Sequence, residues 1–161
     1  MTTVAVLMST YNGEKFIHKQ IDSILNQEGE FQVKLWVRDD GSSDKTQEIL
    51  KDYEKRGLLN WYTGENKGPA HSFWDLLIGC SEYDFYAYSD QDDFWEKDKI
   101  KCGITKLMAC SSEAVYFANA ELVDSELNTL NRVVYRKDPS LDFFTVMCAG
   151  GILGCTMMFN K

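Results

Sequence analysis

The sequence predicts an α/β domain built on a mostly parallel sheet. Strand-like and helix-like segments alternate four times without a break before the pattern changes. Each of the four strand-like segments ends in a short polar stretch. The chain has 161 residues, of which 44% are apolar and 13% aromatic, which is enough for one domain with a substantial core.

The first two strand–helix units are defined by their hydrophobic periodicity. The opening run TVAVLMS is continuously apolar, as is typical of a strand buried on both faces. After it, Ile17, Ile21 and Ile24 recur at helical spacing. Asp44 and Gln47 resemble a capping box before the second helix. We therefore predict strands at 3–9 and 31–40 and helices at 15–27 and 47–56.

The next two units repeat this order. The stretch GENKGPA, which contains glycine and proline, predicts a loop before the third helix, and Ile100, Ile104 and Leu107 form the apolar stripe of the fourth. Beyond Glu113 only short strand-like runs remain. The predicted elements are strands at 58–63 and 83–89, helices at 71–80 and 97–110, and short strands within 114–122, 131–136 and 154–160.

One segment, residues 143–159, carries no charge. As a helix it would extend roughly 26 Å at 1.5 Å per residue, short of the ~30 Å hydrocarbon core of a bilayer. Gly150, Gly151 and Gly154 also interrupt it. We interpret it as core or pocket lining rather than as a membrane span.

Composition excludes some classes of partner. The net charge of −8 argues against nucleic acid, because phosphate binding requires a basic surface. It also argues weakly against tight binding to an anionic membrane. Five cysteines without a CxxC pair predict reduced, mostly buried thiols in a cytosolic protein, and the N-terminus does not resemble a signal peptide. We expect His18 and His71 to be structural or surface residues.

The polar stretches that follow the four strands are STYNGE, RDDGSSD, ENKGPA and SDQDD. Because open parallel sheets bind ligands at the carboxyl ends of their strands, these stretches predict a ligand crevice at one edge of the sheet. The acidic cluster SDQDD would lie inside that crevice. Dinucleotide and P-loop sites are not indicated, since GxGxxG and the P-loop lysine motif are both missing from the sequence.

Carboxylates one residue apart, as in Asp90-Gln91-Asp92, can hold a hard cation. Mg²⁺ and Mn²⁺ prefer oxygen ligands and leave coordination positions for substrate phosphates. The alternative is a solvated acidic turn. A calcium loop counted from Asp90 is excluded, because Phe94, Trp95 and Lys101 occupy positions that would require an oxygen ligand, glycine and glutamate.

Four motifs in this order and spacing resemble family 2 glycosyltransferases, most closely bacterial rhamnosyltransferase-like enzymes of surface-polysaccharide synthesis. They are STYNGEKFIHKQIDSILNQ, VRDDGSSDKT, ENKGPAHSFWDLL and YSDQDDFWEKDKI, and GGILGCTMMFN is a further segment of the family type. The resemblance implies a GT-A fold, a UDP- or dTDP-sugar donor, Mg²⁺ or Mn²⁺, and transfer with inversion. It also implies a glycan or lipid-linked acceptor and a cytoplasmic location, with peripheral association at the inner face of the membrane as an option.

The resemblance also implies individual roles. Asp39 would accept a hydrogen bond from the pyrimidine ring, with Asp40 beside it, and Gly41 would permit a positive φ. Asp90 and Asp92 would contact the metal, with Asp90 also near the ribose. The family arginine after the third loop is missing from PAHSFW. The implied nucleotide-sugar contacts are Thr10, Tyr11, Asn12, Glu14, Asp39, Asp40, Lys67, Gly68 and Asp90.

The general base is not identified by a motif. Asp138 and Asp142 are late acidic candidates, but we expect the base beyond Lys161 and the chain to be the donor half of a longer enzyme. In that interpretation residues 1–161 form one glycosyltransferase domain, with 1–111 binding nucleotide sugar and 112–161 beginning the acceptor side. The alternatives are a non-catalytic nucleotide-sugar-binding fragment and a haloacid-dehalogenase-type phosphotransferase, for which the expected lysine and later acidic pair are missing.

Overall fold

A computed structural model of the protein describes residues 1–80, 82–139 and 151–161. Its main feature is a six-stranded sheet in the order β3-β2-β1-β4-β8-β5. Strands β1 to β4 are mutually parallel, whereas β8 is antiparallel to both β4 and β5. The strands of this sheet are β1 (Thr2–Thr10), β2 (Phe31–Asp39), β3 (Asn60–Thr63), β4 (Phe85–Ser89), β5 (Val115–Phe117) and β8 (Met157–Asn160).

Within the described residues, four helices cover the two faces of the sheet. They are α1 (Ile17–Leu25), α2 (Thr46–Lys55), α3 (Pro69–Gly79) and α4 (Lys99–Leu107). A separate antiparallel hairpin consists of β6 (Glu121–Val123) and β7 (Thr129–Val133). The predicted α/β class and the four strand–helix units are confirmed, with element ends shifted by up to a few residues.

The central strand β1 divides the core in two, because successive side chains of a strand point to opposite faces. Val4, Val6 and Met8 pack on the face covered by α1, α2 and α4. Ala5 and Leu7 pack on the other face, which is covered by α3. Burial on both faces is the reason that this strand is continuously apolar rather than alternating.

Three local predictions need correction. The capping box is wrong, because Gln47 Nε2 donates to Asp39 Oδ2 (2.8 Å) and, within the described structure, the N-cap residue of α2, Lys45, forms no side-chain cap hydrogen bond. The third helix begins at Pro69, in keeping with the preference of proline for the first helical turn. The thiols are not mostly buried, since Cys102 and Cys110 are exposed.

The uncharged segment 143–159 is described only from residue 151 onward. That part contains a short 3₁₀ turn, Gly154–Thr156, followed by strand β8. No helix within the described part of the chain has the length and apolar character that crossing a membrane would require. Asp142, one of the two candidate bases, lies outside the described residues, and Asp138 is exposed.

Candidate active site

The four polar stretches meet at one edge of the sheet, as the parallel topology requires. Thr10 at the end of β1 pairs with Asp39 at the end of β2, and Asp39 in turn pairs with Thr63 of β3. On the other side of β1, Met8 pairs with Ser89 at the end of β4. The loops that follow these strands therefore start side by side and form one crevice.

The loop after β1, residues 10–14, is hydrogen-bonded to the loop after β2, residues 40–45. Asn12, in the left-handed region with φ 50°, accepts from the Ser43 amide through Oδ1 (2.9 Å). Glu14 accepts from the Lys45 amide at the start of α2 (3.0 Å). Asn12 and Glu14 therefore fix the crevice wall.

Gln91, the middle residue of the DQD motif, holds the β1 loop from the opposite side. Its Oε1 atom accepts from Thr10 Oγ1 (2.5 Å) and from the Tyr11 amide (2.9 Å). Its Nε2 atom donates to the Tyr11 carbonyl (3.2 Å). The sequence indicated no role for this residue, because its partners lie eighty positions away. Tyr11 remains about half exposed at the mouth of the crevice.

The Asp39 carboxylate is fully buried and bound by its own loop. Its Oδ2 atom accepts from the amides of Gly41 (3.2 Å) and Ser42 (3.0 Å) and from Gln47 Nε2 (2.8 Å). Its Oδ1 atom accepts from the Ser42 hydroxyl, the one donor to that atom among the described residues. Gly41 has φ 77°, which confirms the predicted positive φ and lets the chain fold back over the carboxylate.

Asp40 is bound in a buried network rather than open to the crevice. Its carboxylate pairs with the Arg38 guanidinium and accepts from the Ser72 hydroxyl of α3. Arg38 Nε also donates to Asp75 Oδ2 (3.0 Å), and Arg38 Nη2 to the Glu65 carbonyl (3.1 Å). This network fixes α3 and the loop that precedes it to the end of β2.

The loop before α3 contains the predicted contacts Lys67 and Gly68. Gly68 has φ 88°, and its carbonyl accepts from Ser72 Oγ (3.2 Å), which connects this loop to the buried network. Lys67 is exposed and forms a surface ion pair with Glu65 (3.3 Å). Its ammonium can therefore swing toward an anion in the crevice at little cost.

The acidic cluster after β4 is arranged differently from the predicted Asp90–Asp92 pair. Asp90, Asp93 and Cys155 each offer a ligand atom, and these atoms lie within 4.8 Å of one another. Cys155 comes from the turn before β8, which pairs with β4. Asp92 is exposed and lines a neighbouring cleft together with Asp93. No local pattern in the sequence indicates Cys155, because the topology of the sheet brings it here.

The electrostatics of this cluster favour a cation. Burial, followed by repulsion from Asp93 and Asp92, raises the pKa of Asp90. Burial and the Asp92 charge likewise raise the pKa of Asp93. Burial, followed by repulsion from the Asp93 and Asp90 carboxylates, raises the pKa of the Cys155 thiol. The two carboxylates repel each other, and their oxygen atoms are the type of ligand that Mg²⁺ and Mn²⁺ prefer, so a divalent cation would relieve the repulsion. The Cys155 sulfur is a softer donor beside them.

Lys99 is a basic group that lies beside this cluster. Its Nζ atom donates to the Cys155 carbonyl (3.0 Å) and lies over the Trp95 ring at 4.6 Å from the centroid. Burial lowers the pKa of Lys99, although the charges of Cys155 and Asp93 oppose this shift. Lys99 therefore holds the turn that carries Cys155 against α4.

Fold and site together define an α/β protein of the class that binds ligands at the carboxyl ends of parallel strands, with an acidic group in the crevice. The model of the family "Glycosyl transferase family 2" matches residues 5–133. The chain therefore belongs to glycosyltransferase family 2, as the sequence motifs predicted.

Relatives and solved structures agree with this assignment. The chain is 36% identical over 107 residues to a dTDP-rhamnosyl transferase, RfbG, of Shigella flexneri, covering 63% of this chain and 37% of RfbG. It is 28% identical over 161 residues to a putative teichuronic acid biosynthesis glycosyltransferase, TuaG, of Bacillus subtilis, covering 98% of this chain and 62% of TuaG. The chain thus spans less than two thirds of the length of either relative.

Among solved structures, S. aureus TarS 1-349 in complex with UDP-GlcNAc is 28% identical, with a TM-score of 0.56 over 68% of this chain and 32% of that chain. The mannosyltransferase PcManGT from Pyrobaculum calidifontis, in complex with GDP-Man and Mn²⁺, is 22% identical, with a TM-score of 0.59 over 70% of this chain and 34% of that chain. The similarity to PcManGT, at 22% identity, shows a shared fold and nothing further. The predicted GT-A fold is confirmed.

Proposed function

We propose that this chain binds a pyrimidine nucleotide-diphosphate sugar together with a divalent cation, and that it supplies the donor-binding part of an inverting glycosyltransferase. The observation that carries the proposal is the crevice itself, in which two fixed loops face an acidic cluster with raised carboxylate pKa values. TarS, at 28% identity, has been solved with UDP and with UDP-GlcNAc, which supports a nucleotide-sugar ligand.

Each part of the crevice has a role in this proposal. The loop of Thr10, Tyr11 and Asn12 would border the base and ribose, and exposed Tyr11 offers a ring for stacking. Lys67 would approach the diphosphate. For Asp39 to accept from the pyrimidine N–H, the Ser42 hydroxyl must rotate away from Oδ1, because it is the one described donor to that atom.

A bound Mg²⁺ or Mn²⁺ would act as a Lewis acid on the leaving diphosphate. Asp90, Asp92, Asp93 and Cys155 are the described groups that could hold it, and the negative charge of the three carboxylates offsets that of the cation. Lys99 and Trp95 would keep the Cys155 turn in place. Inversion requires a base opposite the leaving group, and we propose that this base comes from the acceptor side of the protein.

Titration calorimetry tests the proposal directly. UDP and dTDP should bind more tightly with Mn²⁺ than with chelator, and more tightly than ADP or GDP. Asp39→Ala should weaken the pyrimidine nucleotides by about 1–3 kcal/mol, the cost of an unmatched polar group. Equal affinity for all four nucleotides, with or without metal, would refute the proposal.

Two carboxylate variants separate the predicted ligand pair from the observed cluster. If Asp92 holds the cation, Asp92→Asn should abolish the effect of Mn²⁺ on UDP affinity and Asp93→Asn should not. If the cluster of Asp90, Asp93 and Cys155 holds the cation, Asp93→Asn should abolish the effect of Mn²⁺ on UDP affinity and Asp92→Asn should not. Glu96→Gln, which removes an exposed charge from the same segment, is the matched control and should leave the Mn²⁺ effect unchanged.

A further inference from the structure

A cleft of about 230 Å³ opens beside the acidic cluster, between the start of α1 and the β6–β7 hairpin. Phe16 and Lys19 come from the α1 side, Asp92 and Asp93 from the loop after β4, and Val123 and Leu127 from the hairpin. Pockets for drug-sized ligands typically measure about 300–1,000 Å³. This smaller cleft fits a single ring.

The walls of the cleft combine apolar surface with carboxylates. Phe16, Val123 and Leu127 are 37%, 41% and 38% exposed, so each keeps apolar surface open to a ligand. Asp92 and Asp124 add carboxylates to the lining. A pyranose presents C–H groups on its faces and hydroxyl donors around its rim, which matches an aromatic and aliphatic wall with carboxylate acceptors.

The hairpin side of the cleft is rigidly held. Asp124 Oδ1 accepts from the amides of Glu126 and Asn128, both at 2.9 Å. Lys19 Nζ donates to the Ser125 carbonyl (3.1 Å), which ties the hairpin to α1. Leu127 has φ 66°, a conformation that costs energy for a leucine and persists because the loop is fixed on both sides. The cleft is therefore formed before a ligand arrives.

The charge of the cleft restricts its ligand. Among the described residues that line it, three contribute carboxylates, namely Asp92, Asp93 and Asp124. Lys19 is the one cation among the described lining residues, and its ammonium is already engaged by the Ser125 carbonyl. A cation bound at the neighbouring cluster would arrive with a diphosphate that carries negative charge of its own. A uronic acid or sugar phosphate would thus be repelled.

We propose that this cleft binds the terminal, uncharged pyranose of the acceptor, with its apolar face against Phe16 and Leu127. The inference rests on the proposed function, because it is the donor crevice beside the cleft that makes a sugar bound here an acceptor. It deepens that function by excluding acceptors whose terminal sugar is anionic.

Methyl NMR of Val123 and Leu127, in the presence of dTDP and Mg²⁺, provides the test. Methyl α-L-rhamnopyranoside should shift both residues saturably, and methyl β-D-glucopyranosiduronate should bind at least tenfold more weakly. Phe16→Ala should remove the response of both residues, and Leu127→Asn should remove that of Val123, since asparagine tolerates the left-handed backbone. Trp74→Ala, which removes a 62% exposed aromatic side chain from α3 on the other face of the sheet, should leave it unchanged.

The outcomes separate the two proposals. Suppose that the protein binds nucleotide but either fails to respond to the neutral glycoside or responds equally to the uronate. Either result would overturn the assignment of the cleft and leave the proposed function intact. Competition between the glycoside and the sugar of intact dTDP-rhamnose would mean that the cleft holds the donor sugar, and would also overturn it. Glycoside binding by a protein without nucleotide affinity would overturn the proposed function and, with it, the acceptor role.

Discussion

Arg38→Ala should be among the most destabilising single substitutions in this protein. Arg38 is 4% exposed, and its guanidinium pairs with Asp40, which is equally buried. The guanidinium also contacts Asp75, Ser72 and the Glu65 carbonyl. Its removal leaves the Asp40 charge buried without its cation. Breaking a buried pair in this way costs about 3–5 kcal/mol. With a urea m-value of about 2 kcal/mol/M, the unfolding midpoint should fall by about 1.5–2.5 M.

Two matched measurements make the Arg38 prediction specific. Lys55→Ala breaks a pair in which both side chains are about 75% exposed, so it should change the unfolding free energy by less than about 1 kcal/mol. Arg38→Met combined with Asp40→Leu replaces the buried charges with apolar groups and should recover at least half of the loss, because no charge is then left unpaired. The reasoning is refuted if Arg38→Ala alone lowers the unfolding free energy by under about 1 kcal/mol.

Three further predictions concern the crevice and the thiols. Gly13→Ala should weaken nucleotide binding at least tenfold in calorimetry, because the added Cβ would overlap the side-chain amide of Gln91, which holds the β1 loop. Gly79→Ala is the control and should leave binding unchanged, because a Cβ there meets open space. Iodoacetamide at pH 8, followed by peptide mass spectrometry, should modify exposed Cys110 well before Cys80, whose pKa is raised to about 11 by burial. Burial raises the pKa of Asp90 in the folded state, so its stabilising contribution is complete below the ordinary value of 3.8 and is lost as the pH rises through the raised pKa. Without metal, Asp90→Asn should therefore raise the urea midpoint at pH 7 and have less effect near pH 3; an unchanged midpoint at pH 7 would contradict this.

The strand–helix order was predictable because it depends on local periodicity. An apolar run buried on both faces, as in β1, and a repeated isoleucine stripe, as in α1, are properties of neighbouring residues. The order of strands in the sheet is not such a property. The sequence predicted a short strand near residues 154–160, but not that β8 lies antiparallel between β4 and β5.

The candidate site shows the same division between local and tertiary information. Spacing, the position at a strand end and the family resemblance selected Asp90 and Asp92, whereas the fold brings Asp90 together with Asp93 and Cys155. The capping box failed for a related reason. Gln47 has the right spacing from an aspartate at the helix start, but the buried Asp39 carboxylate offers it a stronger, charge-assisted partner.

The costs that the structure leaves uncompensated are concentrated around one loop. The Asp90 and Asp93 carboxylates repel each other in a partly buried position, and the Lys99 ammonium is desolvated. The buried Trp95 Nε1 has no hydrogen-bond partner among the described residues. Elsewhere, by contrast, the buried charges of Asp39 and Asp40 are well supplied with donors. Folding alone gives no reason to retain such a cluster, since apolar residues would be more stable there. A ligand that brings positive charge to this loop removes the repulsion between the two carboxylates. For this reason we expect the cation at the acidic loop rather than at the better satisfied Asp39 loop.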